Sequence, residues 1–475
     1  MRKIIYSVML AITVSLTACD NYIDITPKGA ITVDSVYTYY EMVLFPNRTY
    51  WPSSFALLCD DAYTTEANIT GKESTTTDGI NFTFNESADR KELGQNNLYE
   101  NCYTYIMRYN LIISNIDDAV GNEDLKKLAK AEAKILRAWE HFIVLNTYAK
   151  GYNPETAAGD PAIAIMDAYN LEAQPKKSTV EETYQFIIRD IDEALPYLQE
   201  TPDLTGHPSL AYGYALKALV HLFHHDWQTA KEAAERCLAL NNSLVDYTTI
   251  SKVTSNTPYR YAAGQNGNPE VLDITTSSVT FTATLMYNYG MISPELTEQF
   301  DKVNDQRYKL FFQQSGNAYY YDAGSGASLW LAGATLKRFY YSTVGLRTAE
   351  VYLILAEANA RLGNNAAAME LVNQLRTNRI KNYVAESAPS STKEMVELII
   401  TERRKELLFG FHRFWDLKRL NQESDYAKTI TRTFPLNKPE SQKTYTLGPD
   451  SRLYIIPFPM SAREKNPNLT LNTDE

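Results

Sequence analysis

Cysteine is scarce, with four in 475 residues. That excludes a disulfide framework standing in for a core, and no C-x-x-C pair occurs to suggest a zinc ribbon or a redox motif. An excess of positive charge is missing too. Asp+Glu number 57 against 46 Lys+Arg, and the formal net charge is −11. This is the wrong balance for a basic face on nucleic-acid phosphates, so no nucleic-acid partner is expected. Beyond the first residues no run reaches the roughly 18 consecutive apolar positions that suggest a spanning helix. Neither G-x-x-x-x-G-K-[ST] nor G-x-S-x-G is present, which leaves nucleotide-binding and serine-hydrolase readings unsupported. What is there is ordinary globular composition, 44% hydrophobic and 22% charged, ample for a sizeable core. One residue type is abundant: 34 Tyr against 17 Phe and 5 Trp. Tyr combines a flat apolar face with a polar tip, which suits packing and polar-ligand surfaces equally.

The N-terminus reads as an address. Arg2 and Lys3 precede an almost uncharged apolar stretch, Ile4 to Ala18. It is too short for a spanning helix and right for a signal peptide. It ends in Leu16-Thr17-Ala18-Cys19, which matches the bacterial lipobox. Residues 1–18 are therefore expected to be a lipoprotein signal peptide, with Cys19 the lipidated first residue of the mature chain and 19–40 a tether. Cleavage would remove two positive charges from the −11 and leave −13. Cys59, Cys102 and Cys237 remain, with no disulfide spacing. Buried free thiols are the plain reading, although a Cys59–Cys102 bridge is possible.

Helix signals dominate the rest. A short helix is expected from Val36 to Leu44. Residues 60–97, rich in Thr, Asn, Asp and Gly, read as a long loop with short strands near Ile80 to Phe84. Helical periodicity follows over Tyr99 to Ala119 and Asp124 to Tyr148. A helix over Val180 to Leu198 is announced by Ser178-Thr179 with Glu182 as capping partner. Two helix pairs come next, Ser209 to His225 with Trp227 to Leu240, and Thr343 to Leu362 with Asn365 to Arg379. At an offset of 138 positions Tyr214 matches Tyr352, Ala218 matches Ala356 and Ala230 matches Ala368. Small residues at these spots let antiparallel helices approach closely, as in tetratricopeptide repeats. The pairs are separated in sequence, so no uninterrupted solenoid is expected. Between them, residues 246–341 are poor in helix formers and rich in Thr, Ser, Gly, Asn and Tyr, with β-type runs such as Val279 to Leu285. A loop-rich insertion on a helical scaffold is where binding residues collect. A last helical segment, Thr392 to Leu420, is followed by a mostly irregular tail, 421–475.

The segment Ile400-Thr401-Glu402-Arg403-Arg404-Lys405-Glu406-Leu407, then Gly410-Phe411-His412-Arg413-Phe414-Trp415-Asp416-Leu417-Lys418-Arg419, resembles the signature of the SusD/RagB family of surface-exposed nutrient-binding lipoproteins. Phe409 replaces the Glu usual before Gly. Leu453 to Leu469 resembles the family's C-terminal pattern, with Pro457, Pro459, Asn466 and Pro467 in step, Ala462 in place of a common Glu, and the closing Q-N-P-G missing. Read from its residues alone, the motif is structural. Glu402, Glu406 and the arginines can pair at i,i+3 and i,i+4 spacing and fix one segment against another, on the solvated or scaffold face of charge-rich helices.

The resemblance implies a mainly α, single SusD-like body built on tetratricopeptide-like helix pairs, with a loop-rich insertion and few short strands. Its regions would be 41–245 and 246–475, the latter divided into the insertion 246–341, a helix pair with the motif at 342–420, and the tail. It implies capture of an oligosaccharide at the outer face of the outer membrane, without catalysis or cofactor, and delivery to a TonB-dependent transporter barrel. A peptide-binding lid and a repeat-based adaptor without small ligand are the alternatives.

Sugars present apolar C–H faces rimmed by hydroxyls, so candidate ligand contacts are loop aromatics with polar neighbours. They are Tyr63, Phe82 and Phe84; Tyr99, where many family members carry a Trp; Tyr259 and Tyr261 flanking Arg260; Tyr287 and Tyr289; Tyr319, Tyr320 and Tyr321; and Trp330. Trp330 and Tyr99 lead. His221 and His225 are spaced for a metal, but no H-E-x-x-H accompanies them, and a polar helix end is expected instead. The adjacent acids Asp60-Asp61 and Glu181-Glu182 point apart on any regular element, so no catalytic carboxylate pair is expected.

Overall fold

The computed structural model describes residues 34–44, 53–63, 69–91, 97–202, 206–250, 269–272, 291–313, 318–322, 327–331, 335–336, 346–408, 412–435 and 439–472. Cys19, Tyr259, Arg260, Tyr261, Tyr287, Tyr289, Phe409 and the run Val279 to Leu285 lie outside them. Among the described residues no helix is long and apolar enough to cross a membrane.

The fold is mostly helical. In chain order the helices are α1 Val36–Val43, α2 Thr77–Thr83, α3 Leu98–Asn115, α4 Glu123–Tyr148, α5 Val180–Ala194, α6 Leu210–Phe223, α7 Trp227–Leu240, the single turn α8 Pro294–Thr297, α9 Gln306–Phe311, α10 Thr348–Arg361, α11 Asn365–Thr377, α12 Thr392–Glu406, α13 His412–Leu420 and α14 Met460–Lys465. The strands are β1 Ala62–Tyr63, β2 Met291–Ile292, β3 Phe312–Gln313, β4 Ala318–Asp322, β5 Ala327–Leu331, β6 Thr335–Leu336, β7 Ile430–Phe434 and β8 Lys443–Leu447, all paired antiparallel in twos.

The capping box ahead of α5 forms as expected. Thr179 accepts from the Glu182 N–H, and the Glu182 carboxylate accepts from the Thr179 N–H. The repeat pairs form as α6–α7 and α10–α11, and Ala218, Ala230, Ala356 and Ala368 are fully buried. Distance in sequence does not keep the pairs apart. Helix α10 packs directly on α7 and also touches α6, while α4 packs on α5 and α5 on α6. The helices thus form one continuous stack, and the insertion leaves and re-enters it between neighbours. Helix α10 serves two cores at once. Val351, Ile354 and Leu355 face the main cluster, whereas Ala349, Leu353 and Ala356 join α11 and α12 in a smaller one. Gly213 allows the tight packing of α6, since a Cβ there would come within 2.8 Å of both Leu195 and Leu198.

Two readings of the sequence change. Ile80, Phe82 and Phe84 alternate as in a strand, yet residues 77–83 are helical. Thr76 caps the helix by accepting from the Gly79 N–H, and the helix is buried so completely that no polar face is needed to mark its period. The tail contains a regular hairpin, β7–β8. Its inward positions are Ile430, Arg432 and Phe434, and the arginine between two hydrophobes hides the pattern.

Candidate ligand-binding face

The charged motif is not a solvated face. Glu402, Glu406, Arg403 and Arg419 are each at most 1% exposed, and Arg404, Arg413 and Asp416 are also buried. Helices carry these charges inward because each finds partners there, which burial makes obligatory. Arg419 holds Glu357 bidentately at 2.7 and 2.8 Å and Asp416 at 2.9 Å. Arg403 bridges Asp416 and Glu350 at 3.1 and 3.2 Å. Burial pushes the Glu350 and Glu357 carboxyls up, but the cations beside them win. His412 and Arg403 hold Glu350 at about 2, and Arg419 and Arg361 hold Glu357 at about 2.

The same lattice pins the insertion at Glu270, Glu295, Asp305 and Arg307. At its neck, Val271 bridges Arg347, the Leu272 N–H donates to the Leu346 carbonyl and the Thr348 N–H to that of Glu270. Beneath this neck Glu270 lies 2.8 Å from Arg379 and 3.2 Å from Arg347. Glu406 joins both arginines, at 3.0 and 3.5 Å, and reaches Arg307 at 3.1 Å. Against the cost of burial these three arginines hold Glu406 at about 2. Arg307, fully buried, also takes Asp305 at 2.8 Å and Glu402 at 2.6 Å. Farther along, Arg404 joins Asp61 at 2.5 Å to Glu295 at 2.9 Å, and Arg413 grips Asp60 with two bonds of 2.7 Å. Despite its burial, Asp60 is held well below the ordinary carboxylate range by Arg413 and Arg404.

The aromatic segments rise from these pins. Just beyond Asp60 and Asp61, β1 pairs with β2, with Tyr63 opposite Met291. Strand β2 lies against β6, and β6 pairs with β3. Strands β4 and β5 form a separate hairpin whose register sets Tyr319 opposite Trp330, Tyr320 opposite Leu329 and Tyr321 opposite Ser328. Four of the expected aromatic positions, Tyr319, Tyr320, Tyr321 and Trp330, therefore fall on one hairpin, and Tyr63 lies on β1.

Three aromatic expectations are corrected. Tyr99 is no exposed loop platform. It sits in the first turn of α3, 8% exposed, with ring centroids 4.4 Å from Tyr103, 5.3 Å from Tyr148 and 5.8 Å from Phe458. Only its edge reaches a cleft of about 720 Å³ between α3, residues 164–175 and α14, lined also by Tyr103, Arg108, Tyr169 and Lys465. Among the described residues, none that lines this cleft comes from the insertion. Phe82 and Phe84 are buried as well. Their rings flank the Arg432 guanidinium at 4.3 and 4.5 Å, and that guanidinium donates to the carbonyls of Leu57, Phe82, Cys59 and Ala62. Arg432 thereby fixes the segment leading into β1. The sequence reading missed it because its partners are carbonyls, which leave no sequence pattern.

The histidines are engaged individually. His221 Nδ1 is 3.2 Å from Asp226, His224 Nε2 is 3.2 Å from Glu181, and His225 stacks on Trp227 at 4.8 Å. Among the described residues no group of His, Cys, Asp or Glu could hold a metal ion. Cys59, Cys102 and Cys237 are buried free thiols.

Comparison with known proteins gives this arrangement relatives. Residues 334–474 match the profile of the SusD family, and residues 59–222 match a profile described as starch-binding associating with outer membrane. Two SusD-like proteins of Formosa agariphila are similar to the chain. One is 24% identical, with 78% of each protein covered, and the other is 21% identical, with 86% of this chain and 89% of the relative covered. Among solved structures, a SusD superfamily protein from Bacteroides vulgatus superposes with a TM-score of 0.68 at 21% identity, over 92% of this chain and 97% of the other. A laminarin-binding SusD-like protein superposes with a TM-score of 0.59 at 17% identity, over 91% and 97%.

Proposed function

Since the chain belongs to the SusD family, we propose that it is a cell-surface glycan-binding lipoprotein that captures an oligosaccharide and passes it to a TonB-dependent barrel in the outer membrane. Cys19 would carry the lipid, residues 19–40 the tether, and the insertion 246–341 the ligand. The observation that carries this reading is the pinning of the insertion. Removing charges from water is costly, and here buried ion pairs fix Glu270, Arg307 and Arg347, the stretches that flank the Tyr- and Trp-bearing strands β4 and β5 in sequence. A binding segment whose flanks are fixed loses less entropy when a ligand binds. The laminarin-binding neighbour and the starch-binding profile support the same ligand class. Catalysis has no support here, because the buried carboxylates around the motif are committed to arginines.

Affinity electrophoresis of the mature chain in gels containing starch or laminarin tests this. Retardation is expected, and Trp330→Ala should weaken it about tenfold, the equivalent of roughly 1.4 kcal/mol, at an unchanged melting temperature. Undiminished retardation in Trp330→Ala and Tyr319→Ala would move the site off the hairpin. Retardation by no glycan, together with binding to a peptide library, would favour a peptide-binding lid. Anchoring is tested separately: Cys19→Ala should leave the protein in the soluble periplasmic fraction.

A further inference from the structure

A second groove, of about 560 Å³, opens where α1, the first turns of α4 and the turn at Leu195–Tyr197 meet, and among the described residues none of its lining belongs to the insertion. Two of its tyrosines are not packing residues. Tyr37 is 63% exposed and Tyr197 is 51% exposed. Behind them Tyr40 is buried, its ring stacked 4.1 Å from that of His207, whose Nδ1 lies 2.5 Å from Glu132 in α4. Leu125 and Leu128 supply an apolar floor. The side-chain polar groups, apart from the tyrosine hydroxyls and the amide N–H groups, are acceptors: Glu41, Asp124 and Gln199. Asn122 Oδ1 is occupied in capping α4, and Asp124 also meets Lys127 at 3.1 Å. Packing in the fold accounts for neither exposed tyrosine.

We infer that this groove is a second carbohydrate-binding site, selective for neutral sugars. Tyr37 and Tyr197 cover the C–H faces of sugar rings, while ring hydroxyls donate to Glu41 and Asp124. The two carboxylates repel uronic acids and sulfated sugars. This inference rests on the glycan-binding reading and adds a site independent of the hairpin. Two sites on one body would grip a polymer by avidity, far beyond what a short oligosaccharide experiences.

The test uses the full mature chain and the heptasaccharide of whichever polymer, starch or laminarin, retards it. Calorimetry should give two sites per chain, falling to one in the Tyr37→Ala/Tyr197→Ala variant with its melting temperature unchanged. Retardation by the polymer should weaken by about a hundredfold. Tyr37→Ser alone, at the more exposed position, carries the test should the double variant melt lower. One site in the wild-type chain, untouched by these variants and lost in Trp330→Ala, overturns the second site and leaves the glycan reading standing. No binding by the wild-type chain overturns both. Equal binding of an acidic oligosaccharide at the Tyr37 groove overturns the assignment to neutral sugars.

Discussion

Glu406 stands among three arginines, Arg307, Arg347 and Arg379, from three separate parts of the chain. Its removal differs from loss of a surface pair. Glu406→Gln would leave buried guanidinium charge uncompensated, and should cost about 3–5 kcal/mol; urea unfolding of the variant measures it, and a loss below 1 kcal/mol would mean that water reaches the lattice. Lys418 is a second case. Its Nζ is buried and donates at 2.6 Å to the carbonyls of Asn146 and Ala149, at the end of α4, and burial brings its pKa down to about 7. At this scale the sequence was only partly legible. The arginine- and glutamate-rich motif announced ion pairs and segment-to-segment fixing, but not their burial, because the partners Asp60, Asp61 and Glu295 lie more than a hundred residues away. Phe82 and Phe84 looked like loop aromatics because nothing local reveals an arginine 350 residues downstream that sits on their rings.

Elements were more legible than residues, because their signals are local. Thr179 and Glu182 announced the start of α5, and the reciprocal bonds are there; Thr179→Ala should therefore lower stability by about 1 kcal/mol in thermal or urea unfolding. The alanines shared by the two helix pairs announced close packing, and all four are buried. Ala356→Leu should overpack the small cluster of α10, α11 and α12 and cost about 1–3 kcal/mol; an unchanged melting temperature would show slack that the fully buried site does not suggest. Elements failed to read where burial erased their pattern. Helix α2 buries Asn81 and Thr83 beside Ile80 and Phe82, so no apolar stripe marks it, and β7 carries Arg432 at an inward position. Of the candidate site, the insertion and its hairpin aromatics were legible from composition. The register that sets Tyr319 opposite Trp330 is a product of strand pairing, which composition does not encode.

For the whole molecule, the lattice makes acid the agent that should release the insertion. Glu350, Glu357 and Glu406 are held at about 2 against an ordinary value of 4.5, and Asp60 and Glu402 are also lowered. Between those limits the unfolded chain binds protons that the folded chain refuses, so stability falls as pH falls through about 4.5 toward 2. Burial gives Asp61, Asp190 and Glu132 the opposite sign. Their folded forms keep protons longer than their unfolded forms, so their contribution to folding is lost as pH rises through their raised values and is fully present below the ordinary carboxylate range. The slopes of the two sets lie on different sides of that range. Burial also lowers two histidines, His141 to about 3 and His225 to about 4 against an ordinary 6.5, so the unfolded chain takes up protons from about pH 6.5 downward that these rings refuse. The expected stability profile therefore begins to fall below about pH 6.5 and steepens below about 4.5, with several protons taken up on unfolding. Circular dichroism melts from pH 7 to 2.5 measure it. Glu357→Gln should be less stable at pH 7 and show a shallower acid limb, because one of those protons is no longer exchanged. Hydrogen exchange should find residues 291–313 opening before α4 as pH drops, since Arg307 and Glu295 are tied to the lattice at charged groups while α4 is held by a largely apolar core. Simultaneous opening of both would mean that the lattice is welded to the core and that the insertion cannot be released by acid alone.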